Sequence, residues 1–198
     1  MVDFRGQTFV LIGISGSGKG VQGELLEKWF EQGGFSVLRV GLGEKGRELA
    51  DKNSLLGGWT KEILERGDFF PNWLAFSLLV NAIDEELQNP EQVLIIDGAP
   101  RRLSEAGLID EMFRDLSRSL PRAIYLEVTE DEARQRLVKR GRADDQSSEA
   151  ISRRFALFNQ ETRPVLDYYG QRVIKINGSG IIEAVHQQIK QALESKND

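Results

Sequence analysis

The sequence predicts an α/β fold built on a five-stranded parallel sheet. Two observations carry that reading. Short apolar, β-prone runs alternate with longer stretches of helical spacing along the chain, and the first run opens into a glycine-rich turn that leads directly into a helix. No internal repeat, low-complexity tract or Pro/Gly-rich linker divides the 198 residues, so one domain over 1–198 is expected.

Thr8 to Ile14 reads as a buried parallel strand. From Gly18 to Gln32, Val21, Leu25, Leu26, Trp29 and Phe30 recur at helical spacing, and Gly33-Gly34 closes that helix. Phe35 to Val40 is the second strand. Residues 42–89 then offer helical patterns only, near Glu44–Lys52, Thr60–Arg66 and Pro71–Leu87, and are expected to form an insert outside the sheet. Val93 to Ile96 is the third strand and runs into Asp97; a helix follows over Ser104–Ser119, then the fourth strand over Ala123–Val128. After a helix over Glu130–Arg140 comes a short polar piece, Gly141 to Ser148. One long helix is expected over Ser148–Tyr169, a fifth strand over Arg172–Ile176, and a last helix over Ile181–Glu194.

Composition narrows the function. Hydrophobic residues make up 40% and charged residues 29%, the balance of a globular chain. A net charge of −5, from 26 basic and 31 acidic residues, argues against general nucleic-acid binding. The absence of cysteine removes disulfides and Cys-based zinc sites. The single histidine, His186, supports neither a Ser/His/Asp triad nor a His-rich metal site and reads as structural and solvated. Met1 to Gln7 is charged and lacks an apolar signal core, and no apolar run is long enough to span a bilayer, so a cytoplasmic protein without a membrane partner is expected.

Gly13-Ile14-Ser15-Gly16-Ser17-Gly18-Lys19-Gly20 matches G-x-x-x-x-G-K in the strand–turn–helix context that motif requires. Its glycines let backbone N–H groups wrap a phosphate, the helix adds its positive end, and Lys19 reaches the β- and γ-phosphates. The usual Ser or Thr that would hold Mg²⁺ is here Gly20, followed by Val21. Asp97, at the end of the third strand, is therefore the candidate to hold Mg²⁺ through water.

Nucleotide phosphate chemistry relies on positioning and on neutralising spreading negative charge, which calls for arginines. Arg101 follows the third strand at the edge where α/β sheets collect ligands. Arg136, Arg140 and Arg142 flank the short polar piece, Arg153 and Arg154 begin the helix after it, and Arg47 lies in the insert. Arg102, Arg114, Arg118, Arg122, Arg134 and Arg172 read as surface groups.

These residues resemble the adenylate kinases and their nucleoside monophosphate kinase relatives, over nearly the whole chain. Gly16 to Gln22 is similar to the family's G-x-G-K-G-T-Q loop, and Asp97-Gly98-Ala99-Pro100-Arg101 to its D-G-F-P-R segment. Arg136 through Asp144-Asp145 is similar to its R-x-x-x-R…G-R-x-D-D lid, here shorter even than the short-lid form. Arg154 with Thr162-Arg163-Pro164-Val165-Leu166 and Tyr168-Tyr169 is similar to its R-x7-T-x-P-L-x-x-Y-Y helix. The resemblance implies a three-layer P-loop NTPase fold, an acceptor-binding helical insert over 42–89, a short lid over 140–148, and a magnesium-dependent, zinc-free enzyme. It implies transfer of the γ-phosphate of ATP to AMP or a related monophosphate. Gly16, Ser17, Gly18, Lys19, Gly20, Val21, Arg136, Arg140 and Gly180 would contact ATP. Leu42, Arg47, Asp68, Phe69, Phe70, Gly98, Arg101, Glu105, Arg142 and Arg154 would contact the acceptor. Lys19, Arg101, Arg140, Arg142 and Arg154 would be catalytic, with Asp144 and Asp145 holding the lid arginines. A monomer is expected.

Several positions depart from the family pattern. Val21 replaces a threonine and removes a hydroxyl. Leu42-Gly43-Glu44 stands for T-G-D, and Ala99 for an aromatic. Glu105 replaces the glutamine that reads adenine, and a carboxylate accepts but does not donate hydrogen bonds. Phe69, Phe70, Trp59 and Trp73 could wall a base, with helix packing preferred for the tryptophans. These departures leave open a UMP/CMP or dTMP kinase, or a catalytically weak nucleotide-binding regulatory relative.

Overall fold

The structure, a computed structural model, describes residues 2–142, 145 and 147–195. Asp144, one of the expected lid carboxylates, lies outside them. Five parallel strands, β1 (Thr8–Ile12), β2 (Val37–Gly41), β3 (Val93–Asp97), β4 (Arg122–Glu127) and β5 (Val173–Asn177), lie in the order β2-β3-β1-β4-β5. β1 is central and buried along its length, paired with β3 from Thr8↔Leu94 to Leu11↔Asp97 and with β4 from Phe9↔Arg122 to Ile12↔Tyr125.

Because strand side chains alternate between faces, each strand feeds two cores. Phe9, Leu11, Val93 and Ile95 pack with Leu26 and Phe30 of α1 (Lys19–Gln32) and with Val185, Ile189 and Leu193 of α9 (Ile182–Ser195). Val10, Ile12, Leu94 and Ile96 face the opposite layer. That layer holds α4 (Asn72–Glu86), α5 (Leu103–Asp115), α6 (Glu130–Arg140), α7 (Ser148–Leu157) and α8 (Arg163–Tyr169). The result is the expected three-layer α/β fold. No helix is long and apolar enough to cross a membrane among the described residues.

The helices between β2 and β3 differ from expectation at their starts. α2 (Leu42–Ala50) begins immediately after β2, with Leu42 turned into the core. α3 (Leu55–Arg66) begins earlier than its apolar spacing suggests, because the Ser54 hydroxyl accepts the Gly57 N–H at 3.0 Å and caps it. Trp59 and Trp73 stack on each other, 5.7 Å apart and 12° from parallel, and neither lines the cleft described below.

Ser148–Tyr169 is not one α-helix. Phe158–Thr162 is a π-helical turn between α7 and α8, with the Arg163 N–H bonded to the Phe158 carbonyl. Pro164 lacks the N–H that a regular turn would use there, which explains the widened register. Three arginines read as surface are tied into the fold. Arg118 is buried and donates to the Pro90 and Gln92 carbonyls at 2.7 and 2.8 Å. Arg172 pairs with buried Asp110 at 2.8 Å. Arg102 joins the insert to α5 and the π turn, as set out below.

Candidate active site

A cleft of about 520 Å³ opens where β1 and β3 end at the C-terminal edge of the sheet. Strand order reverses around β1, the topological position where open α/β sheets bind ligands. At its floor, the turn from Gly13 to Gly18 holds Gly16 and Gly18 at φ 87° and 96°, conformations that only glycine adopts cheaply. A Cβ on Gly16 would stand 2.4 Å from the Ala133 carbonyl, so glycine also permits close packing of this turn on α6. No side chain caps α1. Its first N–H groups and dipole are thus available at the cleft for an anion.

Lys19 folds over this turn. Its Nζ donates to the Gly13 carbonyl at 2.7 Å and the Ile14 carbonyl at 3.0 Å. Burial pushes its pKa down to about 8, against the pull of Asp97 and helped by the nearby charges of Arg101 and Arg140. Asp97 lies at the end of β3 in the same cleft, and burial pushes its carboxyl up while Lys19 and Arg101 oppose this. A Cβ on Gly20 would lie 3.6 Å from the Asp97 carboxylate. No cluster of three or more His, Cys, Asp or Glu side chains forms a metal cage among the described residues. One cleft-facing carboxylate beside a phosphate turn fits Mg²⁺, which keeps several waters and takes its other ligands from substrate phosphates.

The arginines converge. Arg101 donates from Nε to the Gly98 carbonyl at 3.0 Å, and its guanidinium carbon sits 4.7 Å from the centre of the Phe69 ring. Asp145, almost wholly buried, gives one carboxylate oxygen to Arg154 at 2.8 Å and the other to Arg140 at 2.7 Å. Arg136 spans from the Ser17 carbonyl at 3.3 Å to the Gly178 carbonyl at 2.9 Å. Arg47 faces the cleft from α2, and its guanidinium makes no hydrogen bond or ion pair among the described residues. Arg142, Gly98, Val21 and Gly180 also line the cleft, as do Asp68 and Phe70 from the α3–α4 turn.

Three residues expected at the acceptor do not line the cleft. Leu42 is core. Phe69 is buried beneath Arg101. Glu105 is buried and accepts the Arg101 backbone N–H at 2.7 Å. Its carboxyl is pushed up by burial, and the Arg101 N–H resists that shift. Glu44 and Arg102, the first in the cleft and the second outside it, had no expected role. Glu44 faces the cleft while paired with Arg39 at 3.3 Å; its place three residues past the end of β2 is a usable signal. Arg102 gave no periodic or motif signal at all.

A glycine-rich phosphate turn at a sheet switch point, faced by arginines from separate helices, defines a nucleotide-dependent phosphotransferase of the P-loop class. A protein-family model described as adenylate kinase matches residues 11–174. The chain is 28% identical over 193 residues to the adenylate kinase of Leuconostoc mesenteroides, covering 96% of this chain and 99% of that one. It is 33% identical over 187 residues to that of Mycobacterium ulcerans, covering 93% and 97%. To that of Synechococcus sp. (strain RCC307) it is 31% identical over 186 residues, again covering 93% and 97%. The chain belongs to the adenylate kinase family, and it is an ATP-dependent nucleoside monophosphate kinase.

Proposed function

We propose that the protein transfers the γ-phosphate of ATP to AMP, giving two molecules of ADP, in the cleft between the Gly13–Gly18 turn and the helical insert. The observation that carries this reading is the convergence of Lys19, Arg47, Arg101, Arg140, Arg142 and Arg154 on one cleft from five segments of the chain. Asp145 offsets part of this positive charge, and the phosphates of two bound substrates would offset more of it where these groups face the cleft. AMP is favoured among acceptors because the curated relatives above are adenylate kinases.

The turn, Lys19 and the start of α1 hold the ATP phosphates; Ser17, Gly20 and Val21 flank them, and Arg136 with Gly180 borders the donor base. Arg47, Arg101 and Gly98 hold the acceptor phosphate, with Asp68 and Phe70 at the insert side. An oxygen of the acceptor phosphate bonds the γ-phosphorus as the bond to the β–γ bridging oxygen breaks, leaving ADP. That oxygen is already ionised near neutral pH, so no strong base is required. Arg140, Arg142 and Arg154 oppose the charge that spreads over the transferring group. Asp97 would hold Mg²⁺ through water, and the ion would add to the neutralisation of the substrate phosphates. Glu44 is a second carboxylate on that side. Residues 42–89 form the acceptor unit and 140–148 the lid in this reading, and the chain works as a monomer.

The test supplies purified protein with ATP, Mg²⁺ and each common monophosphate in turn and follows diphosphate formation. AMP is expected to turn over fastest. Faster turnover of CMP, UMP or dTMP would reassign the acceptor. ATP binding without turnover of any acceptor would make the chain a regulatory relative.

A further inference from the structure

We infer that Arg102 is a positioning residue for the acceptor side of the cleft, acting through Phe69, Phe70 and Glu105 on Arg101; this rests on the acceptor role proposed above for Arg101. Arg102 does not line the cleft. Its side chain instead ties three separate segments. Nη1 donates to the Phe70 carbonyl at 2.6 Å, on the α3–α4 turn of the insert, and to Asn72 Oδ1 at 3.4 Å, at the start of α4. The same nitrogen lies 3.5 Å from Glu105 Oε1 on α5. Nε donates to Glu161 of the π-helical turn.

Each segment bears on Arg101. Phe69 lies under both guanidinium groups, 4.7 Å from that of Arg101 and 5.6 Å from that of Arg102. Glu105 uses its other oxygen on the Arg101 backbone N–H. Thr162, at the end of the π turn, donates to the Arg101 carbonyl at 2.9 Å. The backbone of Arg101 is thus held on one side by Glu105, which Arg102 also contacts, and on the other by Thr162, the chain neighbour of Arg102's partner Glu161, and its side chain rests on a ring that Arg102 also touches. Glu105 is nearly excluded from water. Removing Arg102 would take away a cation beside that buried carboxylate, and such uncompensated charge drives rearrangement. A guanidinium suits this post because its planar fork serves several acceptors at once, whereas an ammonium serves them as a point.

The test compares wild type, Arg102→Ala and Arg102→Lys by steady-state kinetics in both substrates and by hydrogen exchange of the 67–75 amides. In Arg102→Ala, KM for AMP is expected to rise about tenfold, the equivalent of losing one charge-assisted contact, with KM for ATP within twofold. Exchange over 67–75 is expected to quicken, and Arg102→Lys to fall between. Equal changes in both KM values, no change in either, or a lysine variant as impaired as alanine would overturn the inference. If wild type fails to turn over AMP, the functional reading fails separately. Unaltered exchange over 67–75 in Arg102→Ala would then still sink the positioning role.

Discussion

The ring of Phe70 occupies the space above Gly46: a Cβ on Gly46 would stand 2.2 Å from Phe70 Cζ. Gly46 lies on α2 and Phe70 on the turn before α4, so this contact sets how closely the two arms of the insert approach. Gly46→Ala is expected to destabilise the protein by about 1–3 kcal/mol, as overpacking does, and to raise KM for AMP by pushing Phe70 toward the cleft. Gly58, in α3, offers the contrast, because a Cβ there meets nothing within 4 Å. Gly58→Ala should stabilise by about 0.5–1 kcal/mol. Urea melts of both variants check the pair.

Lys19 has a pH signature. Its pKa in the ligand-free cleft is about 8, below the ordinary 10.5. Below pH 8 it is charged and matched to phosphate, and above it the charge is lost. kcat/KM for ATP, which reports the free enzyme, should therefore fall as pH rises through about 8. Lys19→Arg, permanently charged, should lose that inflection. The stability sign follows from the same shift. Between pH 8 and 10.5 the unfolded chain holds a proton that the folded chain has released, so Lys19's contribution to stability rises with pH across that window. Ligand-free Lys19→Met should be the more stable protein at pH 7, with the gap narrowing toward pH 10 in thermal melts. Its transfer rate should fall on the order of a hundredfold or more.

Asp145→Asn should injure rate and fold together. The change keeps the shape but removes the charge that two arginines share, and so weakens the charge pairing of buried Arg154. A loss of about 3 kcal/mol is expected from breaking such a pair. A fall in kcat on the order of tenfold or more is also expected, with KM for ATP moving less. Chemical denaturation and initial-rate assays measure the two effects independently.

Val21→Thr should improve the enzyme. Val21 is 43% exposed at the cleft, so the substitution opens no core cavity. A hydroxyl placed there can donate to a phosphate oxygen, worth about 0.5–1.5 kcal/mol. A rise of roughly threefold to tenfold in kcat/KM for ATP is expected; no change would remove Val21 from the phosphate contact.

The strands, the phosphate turn and most of the cleft arginines were legible because they follow local rules: continuous apolar runs for strands buried on both faces, a spaced glycine motif, and arginines placed past a strand end or at the borders of the short polar piece. What escaped depends on partners distant in sequence. Arg102 and Glu161 lie 59 residues apart, and Arg118 meets a carbonyl 28 residues before it. No periodicity announces such pairs, so these arginines read as surface. Glu105 escaped for a related reason: its type and spacing suit a reader of a base, yet its oxygens are committed to the backbone and side chain of two neighbours. The π turn was hidden because Pro164 widens a helix whose apolar spacing continues through it.

Gly67 bears directly on α7, where an added Cβ would stand 2.4 Å from the Ala150 carbonyl, and neighbouring Asp68 pairs with Arg153 of that helix. One turn farther along α7 runs into Arg154, bonded through Asp145 to Arg140 at the end of α6. The arm that would greet the acceptor and the arm that would grip the migrating phosphoryl group therefore share a hinge pin. A tilt of the first arm would therefore load the second through α7, within the reading in which the first receives the acceptor.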